Sequence, residues 1–183
     1  MSTESLIIRV PHELFATAES SSYEGTYDPE TIAAGPDEYI ATEPFTWHAT
    51  ITNVGDALLV NGTVAGTLKA TCARCLDDFS LPINGEIEGY FVIEGQGEAP
   101  DDMDDDEFEI LDPSNEIDMQ PLLNAALLME LPLVPLCREG CLGICQHCGK
   151  NLNEGPCNCK PVEEEECPAN NPFAVLRTID FDN

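Results

Sequence analysis

The sequence predicts an α+β fold: an antiparallel β-sheet with one packed helix and a Cys-rich zinc-knuckle element. Three observations predict it. Three consecutive stretches between 45 and 93 alternate apolar and polar residues with the period of two that marks a half-buried strand. A leucine-rich stretch at 118–131 carries the start and stop signals of a helix. Eight of the nine cysteines fall into close pairs, a spacing that belongs to metal sites where thiols stay reduced.

Taken in chain order, the short apolar run 6–10 predicts a strand that ends at Pro11. Segment 18–44 is rich in Ser, Glu, Gly and Pro without clear periodicity, and it reads as an irregular, largely exposed connection. Phe45, Trp47, Ala49 and Ile51 then alternate with Thr46, His48, Thr50 and Thr52, the pattern of a strand with one wet face. Asn53-Val-Gly-Asp56 has turn chemistry. After it, Leu58, Val60, Val64, Leu68, Ala70 and Cys72 share one phase. Asn61-Gly62 has hairpin-turn composition, but the alternation crosses it without a change of phase, so one long strand is expected. Leu81, Ile83, Ile87, Phe91 and Ile93 line a third strand, with Asn84, Glu86 and Glu88 opposite. Short connections make the three an antiparallel meander.

Segment 94–117 is strongly acidic, with Asp101, Asp102, Asp104, Asp105, Asp106, Glu107 and Glu109. Its plainest reading is a solvated loop; a docking strip for a cationic partner is the sharper one. It lacks the glycine-spaced pattern of a calcium loop. Asp118 is the expected N-cap of a helix with Pro121 in its first turn, running through Leu122, Leu123, Ala126, Leu127 and Met129 to Leu131. Pro132 stops it. The helix is too apolar for a surface position and is expected to pack on the sheet. The domain organisation expected is a core over 1–135, a Cys-rich zinc element over 136–167 packed on that core, and a tail over 168–183 in which Phe173 and Leu176 dock.

The 183 residues carry 7 Lys+Arg against 35 Asp+Glu, a net charge of −28. Such a surface repels phosphate backbones and anionic membranes, because nucleic-acid affinity rests on cations that replace condensed counterions. It invites a basic protein or a metal ion. The first ten residues have no basic n-region and no apolar run of signal-peptide length, and no apolar stretch reaches the length of a membrane span. A cytoplasmic protein with reduced thiols is expected, with neither a membrane nor a small-molecule substrate as partner.

The thiols are arranged as Cys72 and Cys75 (C-x2-C), Cys137 and Cys141 (C-x3-C), Cys145 and Cys148 (C-x2-C), and Cys157 and Cys159 (C-x-C), with Cys167 left over. Two cysteines separated by two residues reach one ion from a single tight turn, whose N–H groups stabilise thiolate charge. Cys145-Gln-His-Cys148-Gly149-Lys150 has this form, with Gly149 free to take a positive φ. The simplest partition closes Cys145, Cys148, Cys157 and Cys159 over one Zn2+ and joins Cys72 and Cys75 to Cys137 and Cys141 over a second. The rival is a single ion held by Cys141, Cys145, Cys148 and either Cys157 or Cys159. Two chemistries compete with structural zinc. A redox role for Cys72 and Cys75 would need a helix after the motif to lower a thiol pKa, whereas Leu76-Asp-Asp-Phe-Ser-Leu-Pro82 is short and ends at proline. Catalytic zinc needs an open coordination position, which four cysteines fill. His12, His48 and His147 are scattered, and no phosphate loop, nucleophile elbow or His-Glu-x-x-His pattern occurs. No enzyme is expected.

The ordered combination of Cys72-Ala-Arg-Cys-Leu-Asp-Asp-Phe79, Leu131-Pro-Leu-Val-Pro135, Cys137-x3-Cys141-Leu-Gly-Ile-Cys145-x2-Cys148-Gly-Lys-Asn-Leu-Asn153, Cys157-Asn-Cys159 and Asn171-Pro-Phe-Ala-Val-Leu176 resembles the YceD family, the large ribosomal RNA subunit accumulation proteins. The resemblance runs from about Phe45 to the C-terminus and is to the cysteine-rich branch. It implies a role in accumulation of large-subunit ribosomal RNA, no catalytic residues, and a link to a small basic protein of the large subunit. A chaperone-like adaptor that holds a basic ribosomal protein suits the charge better than direct RNA binding. The latter would need cations such as Arg74, Arg138, Lys150 and Lys160, which lie in or beside the cysteine pairs, to cluster. A zinc-stapled interaction module outside ribosome biology is also compatible with the cysteine pattern.

Overall fold

A computed structural model describes residues 6–93, 95 and 108–159. The chain divides into two compact units, Met1–Cys141 and Leu142–Asn183.

The first unit is built on the predicted meander. Strands β5 (Phe45–Asn53), β6 (Ala57–Thr71) and β7 (Asp78–Val92) pair antiparallel in sequence order. β6 is one strand of 15 residues, as its unbroken alternation requires. Gly62 is therefore no turn: a side chain there would run into the His48 carbonyl and Ala49 of β5, so the residue is needed for close approach of two backbones. The turn between β5 and β6 is fixed by Asn53, 1% exposed, whose amide donates to the Leu14 carbonyl (2.9 Å) and accepts from the Gly55 N–H (2.7 Å).

Segment 18–44 departs from the expected irregular connection. It forms β2 (Ser20–Tyr27), β3 (Thr31–Ala34) and β4 (Asp37–Ala41). β2 pairs with β5 over Ser20↔Thr52 to Tyr27↔Phe45. β3 and β4 make a hairpin whose turn carries Gly35 at φ +63°, and β4 joins the far half of β6 at Ile40↔Lys69 and Ala41↔Leu68. Strand formers such as Tyr23, Tyr27, Ile32, Tyr39 and Ile40 are interspersed with Ser, Glu, Asp, Gly and Pro, and pairing with β5 and β6 satisfies the backbone. The acidic segment 94–117 is not one loop either. β8 (Glu109–Ile110) adds parallel to Phe91 and Val92, and β9 (Glu116–Asp118) pairs with β1 (Ile7–Arg9). Most of its aspartates, Asp101 to Asp106, lie outside the described residues.

Helix α1 (Met119–Glu130) starts where expected: the Asp118 carboxylate accepts from the Gln120 N–H at 2.9 Å. Met119, Leu123 and Leu127 are fully buried, and Ala126 nearly so. They close a core with Phe45, Trp47, Ile51, Leu58, Val60, Val64, Leu68, Ile83, Ile87 and Phe91. Glycines at 85 and 89 let the helix lie close on β7, because a Cβ on Gly85 would meet the Ala126 carbonyl and one on Gly89 the Leu122 side chain. No helix among the described residues is long and apolar enough to cross a membrane.

The second unit is small. Ile144 and Asn151 form a lone antiparallel bridge, followed by a 3₁₀ turn at Leu152–Glu154 capped by the Asn151 side chain on the Asn153 N–H. The Asn153 side chain accepts from the Leu142 N–H at 2.9 Å. The tail over 168–183, with the expected docking of Phe173 and Leu176, lies outside the described residues, as does Cys167.

Candidate metal centres

The loop that joins β6 to β7 begins at Cys72 and is a tight knuckle. The Cys72 N–H donates to the Asp77 carbonyl and the Leu76 N–H returns to the Cys72 carbonyl, both at 2.9 Å. This turns the backbone so that Cys72 and Cys75 face the same side. The partner pair arrives from the segment after α1. The Ala73 N–H donates to the Pro135 carbonyl (2.8 Å) and Arg74 Nη1 to the Cys141 carbonyl (3.1 Å), so backbone contacts set Cys137 and Cys141 opposite the knuckle. Cys72, Cys75 and Cys141 are buried and Cys137 half-buried, with Phe79 and Leu136 packed around them.

The second unit repeats the device. The Cys145 N–H donates to the Lys150 carbonyl (2.8 Å) and the Gly149 N–H to the Cys145 carbonyl (2.9 Å). Lys150 Nζ donates to the Pro156 carbonyl at 3.0 Å, which closes the loop that delivers Cys157 and Cys159. His147 is exposed and stands outside both thiol groups.

Each quartet gathers its four sulfurs within 4.8 Å of one another. Four thiolates bound tetrahedrally at about 2.3 Å from one ion stand about 3.8 Å apart. The separations approach that figure: 3.8 Å for Cys72–Cys141, 3.7 Å for Cys75–Cys137 and 3.4 Å for Cys145–Cys157. The donor set therefore fits a tetrahedral, sulfur-loving cation. The quartets are those of the simplest partition of the sequence, and Cys141 belongs with Cys72 rather than with Cys145.

The electrostatics of the thiols agree with a cation site. Burial pushes the Cys72 thiol up, but the backbone N–H groups of Cys137, Cys75 and Arg74 outweigh it and hold the pKa down at about 6. The N–H groups of Cys148 and His147 bring Cys145 to about 6 in the same way. Their neighbours move oppositely. For Cys75 the Asp77 N–H acts downward, yet burial and the sulfurs of Cys72, Cys141 and Cys137 push it up to about 12. The Cys148 sulfur, then burial, pushes Cys159 up to about 12. One thiolate per quartet is stabilised by the turn, and Cys75, Cys137 and Cys159 are pushed the other way, since burial and neighbouring sulfurs in so small a space disfavour further charge. A divalent cation would remove that conflict and deprotonate all four.

Two features of the centres escaped the sequence reading. The Arg74 backbone N–H helps to stabilise the Cys72 thiolate, while its guanidinium binds carbonyls of the opposing segment. Leu76 adopts φ +63°, the conformation Gly149 takes at +70°. Its position, four residues after the first cysteine of a C-x2-C, was the available signal.

A family model described as "Large ribosomal RNA subunit accumulation protein YceD" matches residues 60–180, a span that includes both quartets. Uncharacterized proteins of Mycobacterium tuberculosis and Mycobacterium bovis are each 31% identical to the chain over 106 residues, 58% of this chain and 50% of theirs. One from Mycobacterium leprae is 28% identical over 102 residues, 56% of this chain and 46% of its own. The chain thus spans about half the length of the curated relatives it matches. No solved structure matches it significantly.

Proposed function

The chain belongs to the YceD family, and from that premise we propose that it supports accumulation of large-subunit ribosomal RNA in the cytoplasm by binding, without catalysis. The observation that carries this reading is the family match across both quartets. The ions are Zn2+, one for each quartet, because four thiolates in a tetrahedron suit zinc and fill its coordination sphere. Such an ion has no position left for water or substrate, so its work is structural. Cys72, Cys75, Cys137 and Cys141 would tie the segment after α1 to the β6–β7 knuckle, and Cys145, Cys148, Cys157 and Cys159 would hold the second unit together.

The partner is a basic protein of the large subunit. A chain of net charge −28 attracts such a protein and repels bare RNA, and it would keep the protein soluble until it docks on ribosomal RNA. A thiol redox reading draws on the low pKa of Cys72. A redox thiolate must be reached by its substrate, and Cys72 is fully buried among three other thiols.

Two measurements test the proposal. Depletion of the protein should lower large-subunit relative to small-subunit ribosomal RNA, and an unchanged ratio would overturn the role. Purified zinc-loaded chain should bind a basic large-subunit protein in a salt-sensitive manner. Salt-resistant binding to large-subunit RNA, with no ribosomal protein present, would replace the protein partner by RNA.

A further inference from the structure

We propose that the free edge of β7, together with the flank of α1, is a docking groove that captures an extended cationic protein segment as an added β-strand. The inference rests on the reading that the partner is a basic protein, and it names the surface and the pattern that this partner must carry.

Among the described residues the edge is open over most of its length. β7 pairs with β6 along all of its residues, and on its other side the one described strand it meets is β8, at Phe91 and Val92. There the Val92 carbonyl accepts from the Leu111 N–H. In an antiparallel pair, residues alternate between bonding the partner strand and pointing their N–H and C=O away from it. The register with β6 is unbroken from Ala57↔Val92 to Thr71↔Asp78. Tyr90, Glu88, Glu86 and Asn84 therefore share the outward phase of Val92. Pro82 falls in that phase too, where its missing N–H costs no ladder bond. Among the described residues, no strand pairs with β7 on this side at Asn84, Glu86 or Glu88, and no other backbone hydrogen bond reaches their outward groups.

Beside this edge runs a groove of about 330 Å³ lined by Glu86 and Glu88 from β7, and by Leu122, Ala125, Met129 and Glu130 among the α1 residues. Met129 is 84% exposed, an unusual position for a long apolar side chain. Glu86 and Glu88 are exposed. The ion pairs among the described residues are Arg9–Glu116 and Lys69–Asp78, so none neutralises the three glutamates. Strand edges are commonly blunted by charge, but a blunted edge has no need of an apolar wall.

The two faces of an added strand would meet different surfaces. Residues Glu86 and Glu88 are two apart and lie on the face opposite the one where α1 covers Gly85 and Gly89. A strand's side chains also repeat every second residue. A segment alternating Lys or Arg with apolar residues would set its cations against Glu86 and Glu88 and its apolar residues against Leu122 and Met129. Its main chain would supply the partners for the outward amides. A second copy of this chain is the poorer occupant, because edge-to-edge pairing would bring the glutamates of one copy against those of the other.

The test uses the full zinc-loaded chain and a short fluorescent peptide alternating Lys and Val. A control peptide has the same composition in block order, all Lys and then all Val. The alternating peptide should bind and slow amide exchange at Glu86, Glu88 and Tyr90. The double variant Glu86→Lys/Glu88→Lys should weaken it about tenfold, the effect of reversing two exposed ion pairs. Met129→Ser, at an exposed site that leaves the core untouched, should weaken it as well. Equal binding of the block-order peptide without protection of those amides would overturn the proposal, since charge alone would then suffice. Protection of the same amides in the free chain would also overturn it, whether by self-association on sedimentation or by another segment of a monomer. If a basic ribosomal protein binds the wild type and the double variant equally, the groove is wrong while the adaptor role stands.

Discussion

Leu76 and Gly149 occupy the same position in two copies of one turn. Each lies four residues after the first cysteine of a C-x2-C, takes a positive φ of +63° or +70°, and donates its N–H to that cysteine's carbonyl at 2.9 Å. One copy is spliced between two long strands of the sheet and the other stands in the small second unit, so the knuckle is a local device that does not depend on what surrounds it. The left-handed conformation is easy for glycine and costs a branched side chain about 1–2 kcal/mol.

Replacing Leu76 by Gly should therefore stabilise the protein, by about 0.5 kcal/mol once the larger freedom of glycine in the unfolded chain is deducted. Leu76 is 62% exposed, so little packing is lost. Gly149→Leu should destabilise the second unit by about 1 kcal/mol. Urea unfolding of the zinc-loaded proteins measures both; a destabilised Leu76→Gly would show that the side chain has a packing role that outweighs the strain.

Removing one ligand from each quartet should have separate effects. Cys72→Ser and Cys148→Ser should each lower the metal content from about two ions per chain to about one. The Cys72 variant should lose its ordered contact with the segment that carries Cys137, seen as faster amide exchange at Ala73, whose N–H is bonded to Pro135. The Cys148 variant should leave Ala73 protected. Metal analysis and exchange on the same samples decide the point, and loss of both ions from either variant would mean that the centres are interdependent.

The pH dependence of the reduced, metal-free chain follows from the opposed thiol shifts. Cys72 and Cys145 are lowered to about 6 from an ordinary 9.0. Across that interval the unfolded chain binds the proton and the folded chain does not, so stability rises with pH. Cys75 and Cys159 are raised to about 12. Above 9 the folded chain keeps protons that the unfolded one has lost, and stability falls as pH rises toward 12. Thermal unfolding in reductant and chelator should show a maximum near pH 9, and the zinc-loaded protein should lose that profile because its thiols are already deprotonated. A metal-free profile flat between 6 and 12 would refute the assignment of one thiolate per quartet.

Close approach of α1 to β7 depends on Gly85. Gly85→Ala would press a methyl group on the Ala126 carbonyl, a backbone atom that cannot rotate away, and should cost about 1–3 kcal/mol. Gly95→Ala, where nothing lies within 4 Å of the added carbon, tests the strain of a φ of +79° without the clash. A cost at Gly85 no greater than that at Gly95 would mean that the helix shifts freely on the sheet.

Much of the first unit is written in local patterns. Alternation from Phe45 to Ile51 and from Leu58 to Cys72 foretold strands that pair with long neighbours, and Asp118 with Pro121 foretold the start of α1 to the residue. These signals are legible because each strand faces water on one side and the core on the other, which forces a period of two into the side chains. Ser20–Tyr27 has no such record. Tyr23 and Tyr27 are its large side chains amid small or acidic ones, and it is a strand because the edge of β5 offers a complete set of backbone partners. Thr31–Ala34, Asp37–Ala41 and the two-residue β8 are likewise placed by the strands they pair with, although Ile32 and Tyr39 are buried.

The sequence by itself determined the meander, the capped helix, the acidity and the grouping of eight cysteines into pairs, because spacing along a chain controls local geometry directly. Only the tertiary structure decided that Cys137 and Cys141 stand with Cys72 and Cys75, more than sixty residues away. It alone also showed that, among the described residues, one edge of β7 stands unpaired beside α1 from Asp78 to Tyr90. Both depend on backbone groups of distant segments, such as the Ala73 N–H on the Pro135 carbonyl and the outward amides of β7. A main-chain donor is the same in every non-proline residue, so no side-chain pattern records where it will find its partner.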